Sequence, residues 1–171
     1  INQVCGSGLS AISLGYNSLK SENDKIIVAG GQESMTNSPH FIKFRGNEVV
    51  SKESLKDTML VDGLLDAYNH YHMGVTAENV AAKFNITRNE QDEFAYNSQK
   101  KALKAIETKK FKDEIVPIEI SNVSFKKDEH PRENVKLSKL AELKTVFKDN
   151  GSVTAGNSSG LNDGAAGVVI M

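Results

Sequence analysis

The chain of 171 residues is long enough to bury a core as one domain or two small ones, which excludes a mere peptide. Its formal net charge of -1 balances 21 Lys and Arg against 22 Asp and Glu with no sustained basic stripe, so nucleic acid is not an expected partner. No apolar run approaches the roughly 20 residues that span a bilayer, so no membrane is expected, and one cysteine without a signal-type leader implies a soluble, cytoplasmic setting.

In chain order, Ile1 to Cys5 reads as the end of a buried strand. Leu9, Ile12, Tyr16 and Leu19, at spacings of three and four, predict a helix that begins just after Cys5. "SENDK" is a turn and "IIVAGG" a short buried strand ending in a glycine pair, so strand, helix and strand together predict a three-layer α/β core. From Gln32 to about Gly160 the character changes, and "MTNSPHFIKFRGNEVV" has no clean period, as expected of a long excursion. Inside it, "MGVTAENVAAKF" and "ITRNEQDEFAYNSQKKALKAIETKKF" predict helices. The second carries a Thr87–Glu90 capping box and a stripe of Phe94, Ser98, Ala102 and Ile106 expected to be buried. "EIVPIEI" predicts a strand that Pro117 confines to an edge or bulge, "LSKLAELKTVF" a helix capped by Ser138, and "KDNGS" a tight turn. "VTAGNSSGLNDGAAGVVIM" runs through a glycine-rich loop into a last strand. Strands at both ends with open edges imply an interior piece of a larger protein.

The chemistry centres on Cys5, the only cysteine, flanked by Gly6, Ser7 and Gly8. At a helix start the macrodipole favours a thiolate by roughly 0.3 to 1 kcal/mol, and glycines leave room for a group carried on sulfur. The same residue also reads as an ordinary packed thiol, since free cysteine is among the most buried residue types. His70 and His72 lack the further ligands a zinc site needs, and His40 and His130, each beside a proline, read as solvent-exposed. "TAGNSSGLNDG" has neither phosphate-loop fingerprint and better suits a slender ligand passing close to the backbone. Thiol redox chemistry would need a resolving cysteine that the chain does not contain.

Five motifs in order, "NQVCGSGL", "IIVAGGQESM", "YHMGVTAENVA", "QDEFAYNSQKKA" and "TAGNSSGLNDGAA", make the chain resemble the thiolases, most of all their short-chain, acetyl-transferring members. The resemblance implies a partial thiolase-like αβαβα core with an inserted α+β loop domain. Residues 1–35 and 161–171 would belong to the N-terminal core domain, and 36–160 would cover the active site and bind coenzyme A (CoA). By the same resemblance Cys5 is the acyl-carrying nucleophile, and His72 and Met73 line the route of the pantetheine arm, with Met73 shortening the acyl pocket. Leu64, Leu143, Phe147, Ala155, Gly156 and Ser159 would contact CoA, Ser159 at the pantetheine amide. Arg132 would approach the nucleotide end. Leu143 and Phe147, four apart, would present one wall if helical. "SPHFIKFRG" resembles a segment used in tetramer assembly, so a homodimer or homotetramer is implied for the full-length protein.

The implied reaction condenses two acetyl-CoA to acetoacetyl-CoA and CoA, or runs in reverse, with no metal and no redox cofactor. The family's Gly-His-Pro and Cys-x-Gly-Gly-Gly motifs are not found in the 171 residues. Activity is therefore expected only of a longer polypeptide, the alternative being an inactive remnant that keeps only CoA-binding or assembly surfaces.

Overall fold

Small residues decide how the first helix meets its sheet. The computed structural model describes residues 1–22, 24–46 and 51–171. Asn23 of the expected "SENDK" turn and residues 47–50 of the expected excursion lie outside the described residues. The chain forms two compact units, Ile1–His72 with Leu161–Met171, and Met73–Gly160.

In the first unit, α1 (Ser7–Lys20) packs on an antiparallel pair, β1 (Ile27–Glu33) and β6 (Gly164–Ile170). The register sets Ala29 opposite Val168 and Gly30 opposite Gly167. The buried residue of α1 is Gly15, where an added Cβ would lie 2.7 Å from the Ile170 side chain and 3.2 Å from that of Ile27. The face that meets the sheet is thus built on Gly15, with Ala11, Ile12 and Leu19 half-buried beside it. Leu9 and Tyr16, expected on that face, are exposed, because a small-residue face lets the helix lie closer than a large-residue face would. Ile1 to Cys5 is not a strand but an exposed turn with a single bridge between Gln3 and Cys5. Val28 and its register partner Val169 leave the other side of the sheet open, at 76% and 59% exposure.

The same unit holds β2 (His40–Phe41), paired antiparallel with β3 (Lys56–Asp57), and a π-helical turn at Met59–Leu64. The expected insertion begins at residue 36, whereas the first compact unit runs on to His72. Hydrogen bonds explain the difference. Thr36 N–H donates to Asp163 Oδ1 at 2.9 Å, and the Ser34 hydroxyl donates to Oδ2 at 3.1 Å. The Thr58 N–H and hydroxyl both donate to the Pro39 carbonyl, which carries the attachment onward.

The second unit contains α2 (Met73–Phe84), α3 (Arg88–Glu107), the hairpin β4 (Ile118–Ile120) and β5 (Val123–Phe125), and α4 (Leu137–Ala141). The capping box of α3 is present, with Thr87 N–H donating to Glu90 at 2.7 Å and Glu90 N–H to the Thr87 hydroxyl at 3.3 Å. Its stripe is rotated from the expected one: Phe94 is 79% exposed and Ser98 exposed, whereas Asp92 is buried and Ala95, Gln99, Ala102 and Ile106 are half-buried. The strand expected at "EIVPIEI" begins only after Pro117, and its partner β5 was not foreseen. Ser121 and Asn122 both adopt positive φ, 48° and 68°, the two-residue turn that suits a tight hairpin. Helix α4 is five residues long and is preceded by Lys136, with no side-chain cap from Ser138. No helix among the described residues is long and apolar enough to cross a membrane.

Two glycines on one ladder give a paired test of this packing. A Cβ at Gly30 would sit 2.2 Å from the Ala166 carbonyl oxygen, whereas one at Gly164 meets nothing within 4 Å. Gly30→Ala is expected to destabilise the chain at the upper end of about 1 to 3 kcal/mol, and Gly164→Ala to stabilise it by about 0.5 kcal/mol. Urea denaturation measures both, and equal effects would contradict the register.

Candidate functional site

Cys5 is exposed and stands one residue ahead of Gly6, the N-cap of α1. The turn that presents it is unusual, since Val4 has a φ of 52°, a region costly for a β-branched residue. Side-chain bonds hold it there. The Ser7 hydroxyl donates to the Val4 carbonyl at 2.7 Å and accepts from Gln3 N–H at 2.8 Å, while Val4 N–H donates to the Asn2 side chain at 2.9 Å. Gly6 N–H donates to the Gln3 carbonyl at 3.0 Å, and a Cβ at Gly6 would press on that oxygen at 3.3 Å. An exposed thiol on a fixed turn before a helix start can attack an electrophile brought to it.

Leu64 and His72 are brought near one another by a closed loop. Leu65 bridges His72, and Asp66 N–H donates to the Tyr71 carbonyl at 2.9 Å. The Asp66 carboxylate accepts from the backbone N–H groups of Asn69 and Tyr68 and from the Asn69 amide. The Asn69 backbone bond foremost holds the Asp66 carboxyl below the usual carboxylate range. Leu64 and His72 are both half-buried.

In the second unit, Leu143, Phe147, Ala155, Gly156 and Ser159 gather around one irregular loop. Thr145 bridges Thr154, and Val146 N–H donates to the Val153 carbonyl at 3.1 Å, so residues 143–147 run beside 153–156. The helix expected across Leu143 and Phe147 ends at Ala141. Leu143 therefore meets the loop at Gly156 and Phe147 meets Gly74 from a non-helical segment, not from one helical face, because the Thr145–Thr154 bridge holds the backbone open. An added Cβ at Gly156 would lie 2.6 Å from both Leu140 and Leu143 side chains, and one at Gly74 would lie 2.1 Å from the Phe147 ring. Met73, next to Gly74 at the start of α2, is 49% exposed. Ala155 and Ser159 are exposed. Arg132 is also exposed, and its N–H donates to Gln99 Oε1 on α3 at 2.9 Å.

Two buried carboxylates hold this loop, and both escaped the sequence reading. Glu78 on α2 accepts from Ser152 N–H at 2.8 and 2.9 Å, from the Ser152 hydroxyl at 2.9 Å and from Val153 N–H at 2.7 Å. Asp92 on α3 accepts from Arg88 Nε at 2.7 Å and from the Asn157 amide at 3.0 Å. The available signal was positional: Glu78 lies three residues before the buried Ala81 and four after the buried Gly74, and so on the inward face of α2.

A family described as "Thiolase, N-terminal domain" matches residues 1–171. An acetyl-CoA acetyltransferase of Cupriavidus necator is 50% identical over 177 aligned positions, covering 100% of this chain and 45% of that protein. The crystal structure of a Bacillus anthracis acetyl-CoA acetyltransferase superposes with a TM-score of 0.86 at 43% identity, over 99% of this chain and 44% of that one. The human mitochondrial 3-ketoacyl-CoA thiolase, solved in complex with CoA, superposes with a TM-score of 0.87 at 36% identity, over 99% and 43%. The fold is thus an α/β fold of the thiolase type. The chain belongs to the thiolase family, and it spans less than half the length of these relatives.

The Glu78 interaction carries a pH signature. Burial works to raise its carboxyl, and the bonds from Val153 and Ser152, with the Lys148 charge, outweigh burial and leave it below the ordinary value of 4.5. A carboxyl lowered on folding stabilises fully above its unfolded value and loses that contribution as pH falls through the folded one. Glu78→Gln is expected to cost about 2 kcal/mol at neutral pH. The gap between the two proteins should narrow as pH falls below 4.5, and urea titrations that show a constant gap would refute this assignment.

Proposed function

We propose that the chain contributes the acyl-accepting cysteine and the CoA-holding loop of an acetyl-CoA C-acetyltransferase. The observation that carries this is the placement of Cys5, exposed on a fixed turn at the start of α1. The Cys5 thiolate attacks the carbonyl of acetyl-CoA, a carbon–sulfur bond forms to Cys5, and the bond to CoA breaks. CoA leaves as a thiolate and is protonated. The α-carbon of a second acetyl-CoA, after losing a proton to a base, then attacks the acetyl thioester. Acetoacetyl-CoA forms, and the Cys5 thiolate is released for the next cycle.

The remaining assignments follow the same reading. His72 and Met73 line the path of the pantetheine arm, and Met73 limits the acyl group to a short one. Leu64, Leu143, Phe147, Ala155, Gly156 and Ser159 contact CoA, Ser159 through the pantetheine amide, while exposed Arg132 approaches the nucleotide end. Residues 36–160 form the loop domain of this reading, the part up to His72 belonging to the same compact unit as Cys5. The reducing cytoplasm suits a chain whose one cysteine must stay a free thiol.

Two measurements test this. Incubating the full-length gene product with labelled acetyl-CoA is expected to place an acetyl group on the peptide that contains Cys5. Cys5→Ala is expected to remove the label and lower turnover at least about a thousandfold. Acetylation elsewhere, with Cys5 unlabelled, would sink the proposal. Light scattering of the same product is expected to give a homodimer or homotetramer, and a monomer would refute the assembly assigned to the "SPHFIKFRG" segment.

A further inference from the structure

The strongest unexplained feature is a buried relay behind the loop. Arg88 uses two edges of its guanidinium. Nε donates to Asp92 Oδ2 at 2.7 Å, while one terminal nitrogen donates to the Leu140 carbonyl at 2.6 Å and the Leu143 carbonyl at 3.1 Å. The other Asp92 oxygen accepts from the Asn157 amide at 3.0 Å. That amide also donates to the Ser152 carbonyl at 3.1 Å, and its oxygen accepts Thr154 N–H at 2.8 Å. Asp92 is only 3% exposed, so the carboxylate at the centre of the relay is shielded from competing water. One carboxylate on α3 thereby connects two separate backbone segments, residues 140–143 on one side and 152–157 on the other. These segments touch where Gly156 faces Leu140 and Leu143.

We propose that Arg88, Asp92 and Asn157 are positioning residues that fix the placement of the Leu143 segment against the Ala155–Ser159 loop, and so set the affinity for the pantetheine arm of a CoA thioester. This rests on the reading that the loop holds CoA. A planar fork is required because a single cation must aim at a carboxylate and two carbonyls together, which a lysine ammonium does without the fixed angle between donors. Asn157 is required because it meets one carboxylate oxygen, one carbonyl and one N–H with the two ends of one amide.

The test measures binding of desulfo-CoA to the full-length gene product by calorimetry, together with the rate at which iodoacetamide alkylates Cys5. Asp92→Asn is expected to raise the desulfo-CoA Kd about 10- to 100-fold and to leave the Cys5 alkylation rate unchanged. A Kd that stays at the wild-type value, or a Kd and an alkylation rate that change together, overturns the proposal. If Asp92→Asn fails to fold, Arg88→Lys decides: it keeps the charge beside Asp92 but loses the fork, so the same rise is expected, and retained affinity overturns the relay. A wild-type protein that binds desulfo-CoA without acetylating Cys5 refutes the proposed reaction alone. One that binds no desulfo-CoA removes the loop's role and the relay with it.

Discussion

Two helices each bury a carboxylate against one irregular loop, and the second unit is organised around satisfying them. Burying an ionised carboxylate costs several kcal/mol unless partners replace the water it gives up. Glu78 and Asp92, at 6% and 3% exposure, meet that demand with Ser152, Val153, Arg88 and Asn157. Thr154, with no exposure at all, lies between Val153 and Asn157 in the chain, its N–H donated to Asn157 Oδ1 and its hydroxyl accepting Gly156 N–H at 3.1 Å. Losing any one partner leaves a buried charge or amide unpaired, so residues 152–157 are held as a group.

That constraint explains why an irregular segment stays ordered without a sheet ladder. A loop without ladder hydrogen bonds would ordinarily sample many conformations, and a ligand would have to order it at a cost in affinity. Here the ordering is done by side chains on α2 and α3 as the unit folds. Close approach does the rest. Gly156 sits where any side chain would collide with Leu140 and Leu143, and Gly74 sits where one would collide with Phe147. The non-helical segment from Leu143 to Phe147 is therefore placed by contacts at both ends, without the helix its apolar spacing suggests.

Local signals were legible where local physics decides the outcome. The Thr87–Glu90 box, the glycine-rich run into β6 and the periodic run of α2 are set by neighbours in sequence, and a reading of the chain finds them. What it misses depends on groups far apart. Phe94 looks like a buried residue because it is apolar, yet α3 turns Asp92 inward, since Asn157, 65 residues away, offers it an amide. Leu9 and Tyr16 look like a core face of α1, yet Gly15 gives a closer fit to Ile27 and Ile170. The Ser121–Asn122 turn lacks the glycine that marks most tight hairpins, so β5 carried no signal. For the site, Cys5 stood out as the only cysteine and its companions came from resemblance to a family. The residues that hold those companions in place were hidden because charge on a helix ordinarily means solvent.

The turn at Cys5 extends the same logic to the first unit. A β-branched residue at positive φ stores about 1 to 3 kcal/mol, and such a conformation persists only where other bonds demand it. The Ser7 hydroxyl supplies two, one to each side of Val4, and the Asn2 side chain adds a third. The thiol is thus carried on backbone whose direction is set by three short polar side chains and not by a sheet ladder. Both units hold irregular backbone in the same way, with side-chain hydrogen bonds. A reacting group or a slender ligand needs backbone that is exposed and close, regular secondary structure uses up that backbone in its own hydrogen bonds, and side-chain donors and acceptors restore the lost rigidity. Precision at such a site is then concentrated in a few hydrogen bonds, which makes the residues behind it as consequential as the ones that face the ligand.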